Sequence, residues 1–420
     1  VRVAWPSNFG EGLWLAWLLG QEGHEVSVSV AEPSCRNALR GIVNHVEDFS
    51  PVGDYDLAVF DVTGQGELAD RTAALIPTIG DSSLADRLED DRLYALEFME
   101  QCGIQVSPWE HFTNPADAIR YIKKQGTRQV FKPVGEQADK STTYVSSSAE
   151  DMLRYFDVLF RSTPQKEFVL QEVVDGTEVS TEVYLNDTGY YALNHTLELK
   201  RLMNGDVGPN TGCSGSLCWM APTENQIFTK GLKKALGPLR ELGYRGPIDL
   251  NTIVNRSGVY GLEFCARFGY DATAPLTKLL SVGFGDFLYA IATNQKVPEL
   301  VPRHSFCATT RLSIPPYPSE GLPEKFYKQG VPIEGLKPDM LDKFFIYDVM
   351  AKEDSDELES AGICGWIGGP LAVGETIGQA WEGAKDMVSQ VKIPNCQYRT
   401  DCPQNTARRY EELRSNGWLR

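Results

Sequence analysis

The chain has 420 residues, with 40 Lys and Arg against 57 Asp and Glu, a formal charge of −17 at pH 7. Hydrophobic residues make up 42% and charged residues 23%, an ordinary globular composition, and the length suggests roughly two to four domains with ample core. The acidic balance excludes a general nucleic-acid binder, whose phosphate contacts would come from Lys and Arg, but leaves room for a local basic pocket that takes a small phosphorylated ligand.

In chain order, Val1 to Ala4 reads as a strand, followed by the turn Trp5-Pro6-Ser7-Asn8-Phe9-Gly10 and a helix from Glu11 to Glu22 that Gly23 ends. Its most apolar stretch, Leu13 to Leu19, is about a third of the ~20 residues that span a membrane. No basic stretch precedes it, so the expectation is a cytoplasmic chain with no signal peptide and no membrane partner. Glu25 to Val30 alternates apolar and polar as a strand does, and Asp56 to Phe60 reads as a buried strand. Strand, helix, strand predicts a doubly wound α/β domain over residues 1–80.

Asp81-Ser82-Ser83 supplies an N-cap for a long helix through Cys102, ended by Gly103. A smaller α/β segment over about 116–184 holds the strands 129–132 and 168–172, with Ser162, Thr163 and Pro164 as a loop before the second. Strands return from 185 to about 305, with a Gly-rich loop at 204–216 that shows neither helix nor strand pattern. Pro315-Pro316-Tyr317-Pro318 marks a boundary. A helix over 374–390 and a charged helix near 407–415 close the chain. The expected division is 1–80, 81–310 with a lid at about 116–184, and 311–420.

Nine cysteines, an odd number with no CxxC, argue against a disulfide framework or a structural zinc site. Five scattered histidines without HExxH argue against His-based chemistry.

Three clusters and one loop carry chemistry. The run Phe131 to Thr143 places Lys132 in a strand and Lys140 in the polar loop after it, an arrangement that suits anionic phosphates. A solvated hairpin with two surface lysines is the alternative, but Lys132 stands beside Val130 and Phe131, where an unpaired charge is costly. The apolar strand ending in Gln171, Glu172, Val173 and Val174 can offer backbone groups to a purine, and Glu178 can take ribose hydroxyls; alone, the segment also reads as an ordinary strand end with solvated acids. Residues 246–250 and 261–269 read as a hairpin through Asn255 to Gly258. Glu263 points away from Leu262 and Phe264, so it can face a site, where carboxylates on adjacent strands hold Mg²⁺ against phosphates. Arg267 follows within reach of an anion. The loop Lys200 to Gly215 is rich in glycine, which permits close backbone approach to a ligand.

The order of these motifs resembles the ATP-grasp ligases, and within them the phosphoribosylamine–glycine ligase (glycinamide ribonucleotide synthetase) family. The resemblance is carried by Lys200-Arg201, Gly205-Asp206 and Gly208-Pro209-Asn210-Thr211-Gly212, by Leu262-Glu263-Phe264 with Ala266-Arg267-Phe268-Gly269, and by Gly374 to Ala384 with Tyr398-Arg399-Thr400-Asp401. It implies an α/β ATP-grasp fold with an N-terminal doubly wound domain and a small C-terminal α+β domain. It further implies that Lys132 and Lys140 contact ATP phosphates, that Gln171 to Val174 hold adenine and Glu178 the ribose, and that Glu263 binds Mg²⁺ or Mn²⁺. Arg267, Lys200 and Arg201 become the catalytic cations, and Gly208 to Gly212 the substrate-binding loop.

The implied reaction phosphorylates an amino acid's carboxylate, such as that of glycine, with ATP. An amine then attacks the acyl phosphate, and ADP and phosphate leave. A monomer or homodimer acting on small molecules is expected. Departures from the family pattern are Glu136 to Ser141 in the phosphate loop, Cys265 in place of a metal-ligating Asn, Tyr270-Asp271-Ala272 after Gly269, and the acceptor-side loops Pro6 to Gly12 and Thr63 to Gly66. Asp249 on the partner strand is expected to compensate for Cys265. These departures raise two alternatives, a diverged ligase using another amine and a catalytically inactive homologue that only binds.

Overall fold

The structure, a computed structural model, describes all residues except 48, 51–53, 136–142, 163–166, 320 and 420, with the backbone alone at 160–162 and 324. Lys140, Thr163 and Pro164 therefore lie outside the described residues. The N-terminal part is a four-stranded parallel sheet of β1 (Arg2–Ser7), β2 (Glu25–Val30), β3 (Leu57–Phe60) and β4 (Thr78–Gly80), in the order β2-β1-β3-β4. The helix Leu13–Gln21 between β1 and β2 is apolar all round and buries Leu13, Trp14, Leu15, Ala16, Leu18 and Leu19, so it packs against neighbours on several sides. Strand order reverses between β1 and β3, which leaves a crevice beyond their carboxyl ends.

The single long helix expected from Asp81 to Cys102 is two helices, Ser83–Asp90 and Arg92–Gln101. Asp91 between them is extended and caps the second by accepting from Tyr94 N at 3.0 Å. An Asp offers the backbone this alternative to a continuous helix. The break turns Arg92 toward the small sheet, where its Nε donates to Pro133 O at 3.3 Å.

That small sheet is antiparallel: β5 (Trp109–Phe112), β6 (Gln129–Pro133), β7 (Tyr144–Val145) and β8 (Phe168–Glu172), in the order β5-β8-β6-β7. Its helices, Pro115–Gln125 and Ala149–Ser162, cover one face through Phe112, Ile122, Phe131, Phe156, Phe168 and Leu170. Ser162 thus ends a helix instead of opening a loop.

The central sheet has seven antiparallel strands. In chain order come β9 (Thr177–Asn186) and β10 (Gly189–Glu198), the hairpin β11 (Arg201–Met203) and β12 (Val207–Asn210), then β13 (Gly215–Met220), β14 (Gly246–Asn255), β15 (Gly258–Cys265) and β16 (Phe306–Thr310). The sheet order is β15-β14-β9-β10-β13-β16, with Ala372–Gly374 on the outer edge. The C-terminal part therefore contributes a strand to this sheet. The expected hairpin through Asn255 to Gly258 is present as β14 and β15.

The loop at 204–216, read as patternless, contains one correction. Arg201–Met203 and Val207–Asn210 pair as the separate two-stranded hairpin β11–β12. Its strands are too short and exposed to show alternation, and Asn204-Gly205 was the available turn signal. The C-terminal segment anchors it. Arg399, 2% exposed, donates to Asp206 Oδ1 at 2.7 Å, to both Asp401 oxygens at 2.8 Å and to Arg201 O at 3.0 Å. Arg399→Met is expected to lower the unfolding free energy by about 3 kcal/mol, because it leaves two carboxylates and a carbonyl without their buried donor. Urea denaturation followed by tryptophan fluorescence reads this, and an unchanged midpoint would mean that these bonds contribute nothing net.

Candidate active site

The site begins with strand periodicity. Along β9, Val179, Thr181 and Val183 face one side of the sheet and Glu178, Ser180 and Glu182 the other. Val183 joins Ile248, Leu250 and Phe264 in a core under the helix Arg92–Gln101. His195 lies on that side, between Thr181 Oγ1 and Asn225 Oδ1. Burial lowers its pKa to about 4, which keeps it neutral and structural.

The opposite face is polar. Register places Asn194, Glu182, Asp249 and Cys265 in one row across β10, β9, β14 and β15. Thr196, Ser180, Asn251 and Glu263 form the next row. Most of these residues are buried; Glu263 is exposed. A buried polar face is costly unless its groups find partners. Several polar atoms have none among the described residues: Glu182 Oε2, Asp249 Oδ1, Asn251 Oδ1 and Thr196 Oγ1.

Glu182 and Asp249 stand directly opposite each other. Burial, with Asp249 beside it, pushes the Glu182 carboxyl up to about 8. Burial likewise raises Asp249, against the bond it accepts from Ser180 Oγ. An acid whose folded pKa is raised binds a proton that the unfolded chain has lost, so stability falls as pH rises from the ordinary carboxylate range to about 8. Glu182→Gln is accordingly expected to raise Tm more at pH 8 than at pH 5. Equal effects at both pH values would show that Glu182 ionises normally.

The cations converge from the small sheet. Phe131 enters the core under the helices, so Lys132 faces the other way. It is 8% exposed, and its Nζ donates to Gln171 Oε1 at 2.7 Å. Burial lowers the Lys132 ammonium to about 8 and Arg92 adds to this, while Glu263 and Glu178 oppose it. The four groups Lys132, Arg92, Glu178 and Glu263 therefore act on one another where the two sheets meet. Lys200 extends the cluster: its Nζ bonds Glu198 and lies 4.0 Å from Glu178 Oε1. Burial works against its charge, but Glu198 and Glu178 hold the ammonium well above its ordinary value.

The other expected residues sit as follows. At the end of β8, the amides of Glu172 and Val173 donate to Pro108 O at 2.8 Å and Arg128 O at 3.1 Å, whereas that of Val174 has no partner among the described residues. Arg267, beyond β15, donates through Nε to Glu89 Oε1 at 3.1 Å, and this carboxylate holds the guanidinium well above its usual value. Arg201 is exposed and donates to Gly208 O at 2.8 Å inside its own hairpin. Gly208, Pro209, Asn210 and Gly212 are exposed, and Thr211 donates through N and Oγ1 to Lys200 O at 2.7 and 3.0 Å. Cys265 is one of nine free thiols.

Sequence reasoning missed Arg92, Asn251, Glu182, Glu89 and Arg311. Arg311 is 8% exposed, bonded to Asp271 Oδ2 and Tyr317 Oη at 2.6 Å, and stacked over Trp366. Among the described residues no group of three or more His, Cys, Asp or Glu could hold a metal ion, and no helix is long and apolar enough to cross a membrane.

Residues 90–273, from the break before Arg92 to just past Arg267, match the phosphoribosylglycinamide synthetase ATP-grasp (A) domain. That segment is similar to the phosphoribosylglycinamide synthetase family of ATP-grasp proteins. The chain is 26% identical over 409 residues to the phosphoribosylamine–glycine ligase of Rhizobium meliloti, covering 92% of this chain and 94% of the relative. It is 26% identical over 361 residues to the trifunctional purine biosynthetic protein adenosine-3 of Gallus gallus, spanning 80% of this chain but only 35% of that protein. The crystal structure of phosphoribosylamine–glycine ligase from Thermotoga maritima superposes with a TM-score of 0.76 at 23% identity, covering 96% of this chain and all of the other. The α/β ATP-grasp fold expected from the motifs is thus the fold of the chain.

Proposed function

We propose that this chain is an ATP-dependent carboxylate–amine ligase that activates a small amino acid, glycine by analogy with its relatives' name, and transfers it to an amine such as phosphoribosylamine. The observation that carries the reading is the convergence of Lys132, Arg92, Glu178 and Glu263 where the small sheet meets the central sheet, inside the segment that matches the ATP-grasp domain.

In this reading the open amide of Val174 meets the adenine and Glu178 the ribose. Lys132, oriented by Gln171, and Arg92 offset the charge of the phosphates. A carboxylate oxygen of the amino acid attacks the terminal phosphorus and ADP leaves. The amine then attacks the acyl carbon, inorganic phosphate departs, and the new amide nitrogen loses a proton. Arg267, anchored by Glu89, and Lys200, held between Glu198 and Glu178, orient the acyl phosphate. Such chemistry depends on positioning and charge neutralisation more than on an acid–base side chain, which suits a site without histidine. Mg²⁺ fits the donor set: it is usually held by one or two carboxylates together with substrate phosphates, and Glu263 would supply the carboxylate. The ion would neutralise phosphate charge when bound. The reading carries with it a cytoplasmic enzyme of small-molecule metabolism.

A second reading, in which the acceptor is a different amine, is favoured by the crevice beyond β1 and β3. Its loops close on each other through Asn8 Nδ2 to Thr63 O at 3.1 Å and Gln65 Nε2 to Asn8 Oδ1 at 2.6 Å. Glu11 and Asp61 stand in or beside them, and Asp81 and Asp86 take their amides, while 7–12 and 60–66 contain no Lys or Arg. The deciding experiment is ADP release over a panel of amino acids and amines. Release that requires glycine and phosphoribosylamine supports the first reading. Release with glycine and another amine alone supports the second, and no release with any pair would overturn both.

A further inference from the structure

We infer that Asn251, through its side-chain carbonyl, is the second protein oxygen beside Glu263 for the divalent cation of the nucleotide site, a place that the thiol of Cys265 leaves unfilled. This rests on the ligase reading above.

A β-bulge between Asn251 and Thr252 brings Asn251 directly opposite Glu263 across β14 and β15. Cross-strand neighbours of this kind have Cβ atoms about 4.5–5.5 Å apart on one face, so a single ion can meet both side chains. Asp249, two residues earlier, falls opposite Cys265 and accepts from Ser180. Asn251 is 4% exposed. Its Nδ2 is turned to Cys265 Sγ at 3.7 Å, which leaves Oδ1 without a partner among the described residues. A buried carbonyl in that state is unfavourable, a cost that a ligand would remove.

The ligand chemistry follows from the donors. An amide oxygen beside a carboxylate suits a hard cation such as Mg²⁺ or Mn²⁺, and a neutral thiol does not. Glu263 is exposed on the cleft side and interacts with Lys132 and Arg92, so an ion at this pair would lie beside the phosphates those cations attract. The bond to Cys265 then has a role as well. It holds the Asn251 amide in the orientation that presents oxygen, so the thiol orients the ligand without being one.

The test is Mn²⁺ binding in the presence of ADP, read from the EPR signal of free Mn²⁺, with ADP affinity in EDTA and Tm measured alongside. Asn251→Ala is expected to weaken Mn²⁺ binding by about 10–100-fold, leaving metal-free ADP affinity unchanged. Asn251→Asp, which keeps an oxygen on either side of the carboxylate and needs no orienting bond, is expected to bind Mn²⁺ at least as well as wild type, and Cys265→Ala, which frees the Asn251 amide to turn, to bind it more weakly than wild type but better than Asn251→Ala. Wild-type Mn²⁺ affinity in Asn251→Ala, or equal losses in the Ala and Asp variants, would overturn the inference. Failure of the wild-type protein to take up Mn²⁺ with ADP would overturn the ligase reading together with it.

Discussion

Lys132→Met is expected to lower turnover by at least about 10²-fold, the scale of loss when a preorganised charge at a phosphoryl-transfer site is removed. Met keeps the volume and the apolar stem, so the packing of β6 should survive. What disappears is the ammonium held by Gln171 Oε1. The pKa makes the prediction sharper. Burial and Arg92 lower Lys132 to about 8 in the free protein, so near pH 8 about half the molecules lack this charge. A triphosphate favours the charged form, so ATP binding at that pH must take up a proton at Lys132. The KM for ATP is therefore expected to rise with pH above about 8 in the wild type. It should not follow this titration in the Met variant. ADP-release kinetics across pH reads both effects, and wild-type turnover in the variant would remove Lys132 from the site.

Part of this cluster was legible because strand alternation can be read without a structure. Lys132 beside Phe131, and Glu263 between Leu262 and Phe264, had to face away from the core wherever the strands lay. The N-terminal α/β unit was legible in the same way. Pairing across strands was not. The turn pairs Asn255 with Gly258, and an uninterrupted ladder from there would set Leu250, not Asn251, opposite Glu263. The bulge between Asn251 and Thr252 moves the register by one residue, and Gly261, opposite Thr252 and next to the extra residue Leu262, is the signal in the sequence that could have marked it. Arg92 was hidden by a helix break made by a single Asp within a pattern that otherwise continues. The partnership of Arg267 with Glu89 spans 178 positions and comes only from tertiary packing. The Arg399 anchor of the β11–β12 hairpin joins two motifs that the sequence supplied separately, at the resemblance to the family's glycine loop and at its closing segment.

Glu263→Gln, at least about as damaging to turnover as the loss of Lys132, separates two roles that a carboxylate beside phosphates can play. Glu263 is exposed on β15 and its loss creates no cavity, so Tm should stay within the range of ordinary surface changes. The carboxylate repels the phosphates directly and also offsets part of the charge on Lys132 and Arg92. Removing that charge without changing shape should therefore leave ADP binding in EDTA equal or tighter. If Glu263 serves to hold the cation, turnover must fall all the same, and the Mg²⁺ concentration for half-maximal rate must rise. If its role were only to temper the field of the two cations, turnover would fall without any change in Mg²⁺ requirement. A magnesium titration of ADP release at saturating ATP distinguishes these outcomes. An unchanged half-maximal Mg²⁺ concentration would take the metal away from Glu263 even if the enzyme were slow.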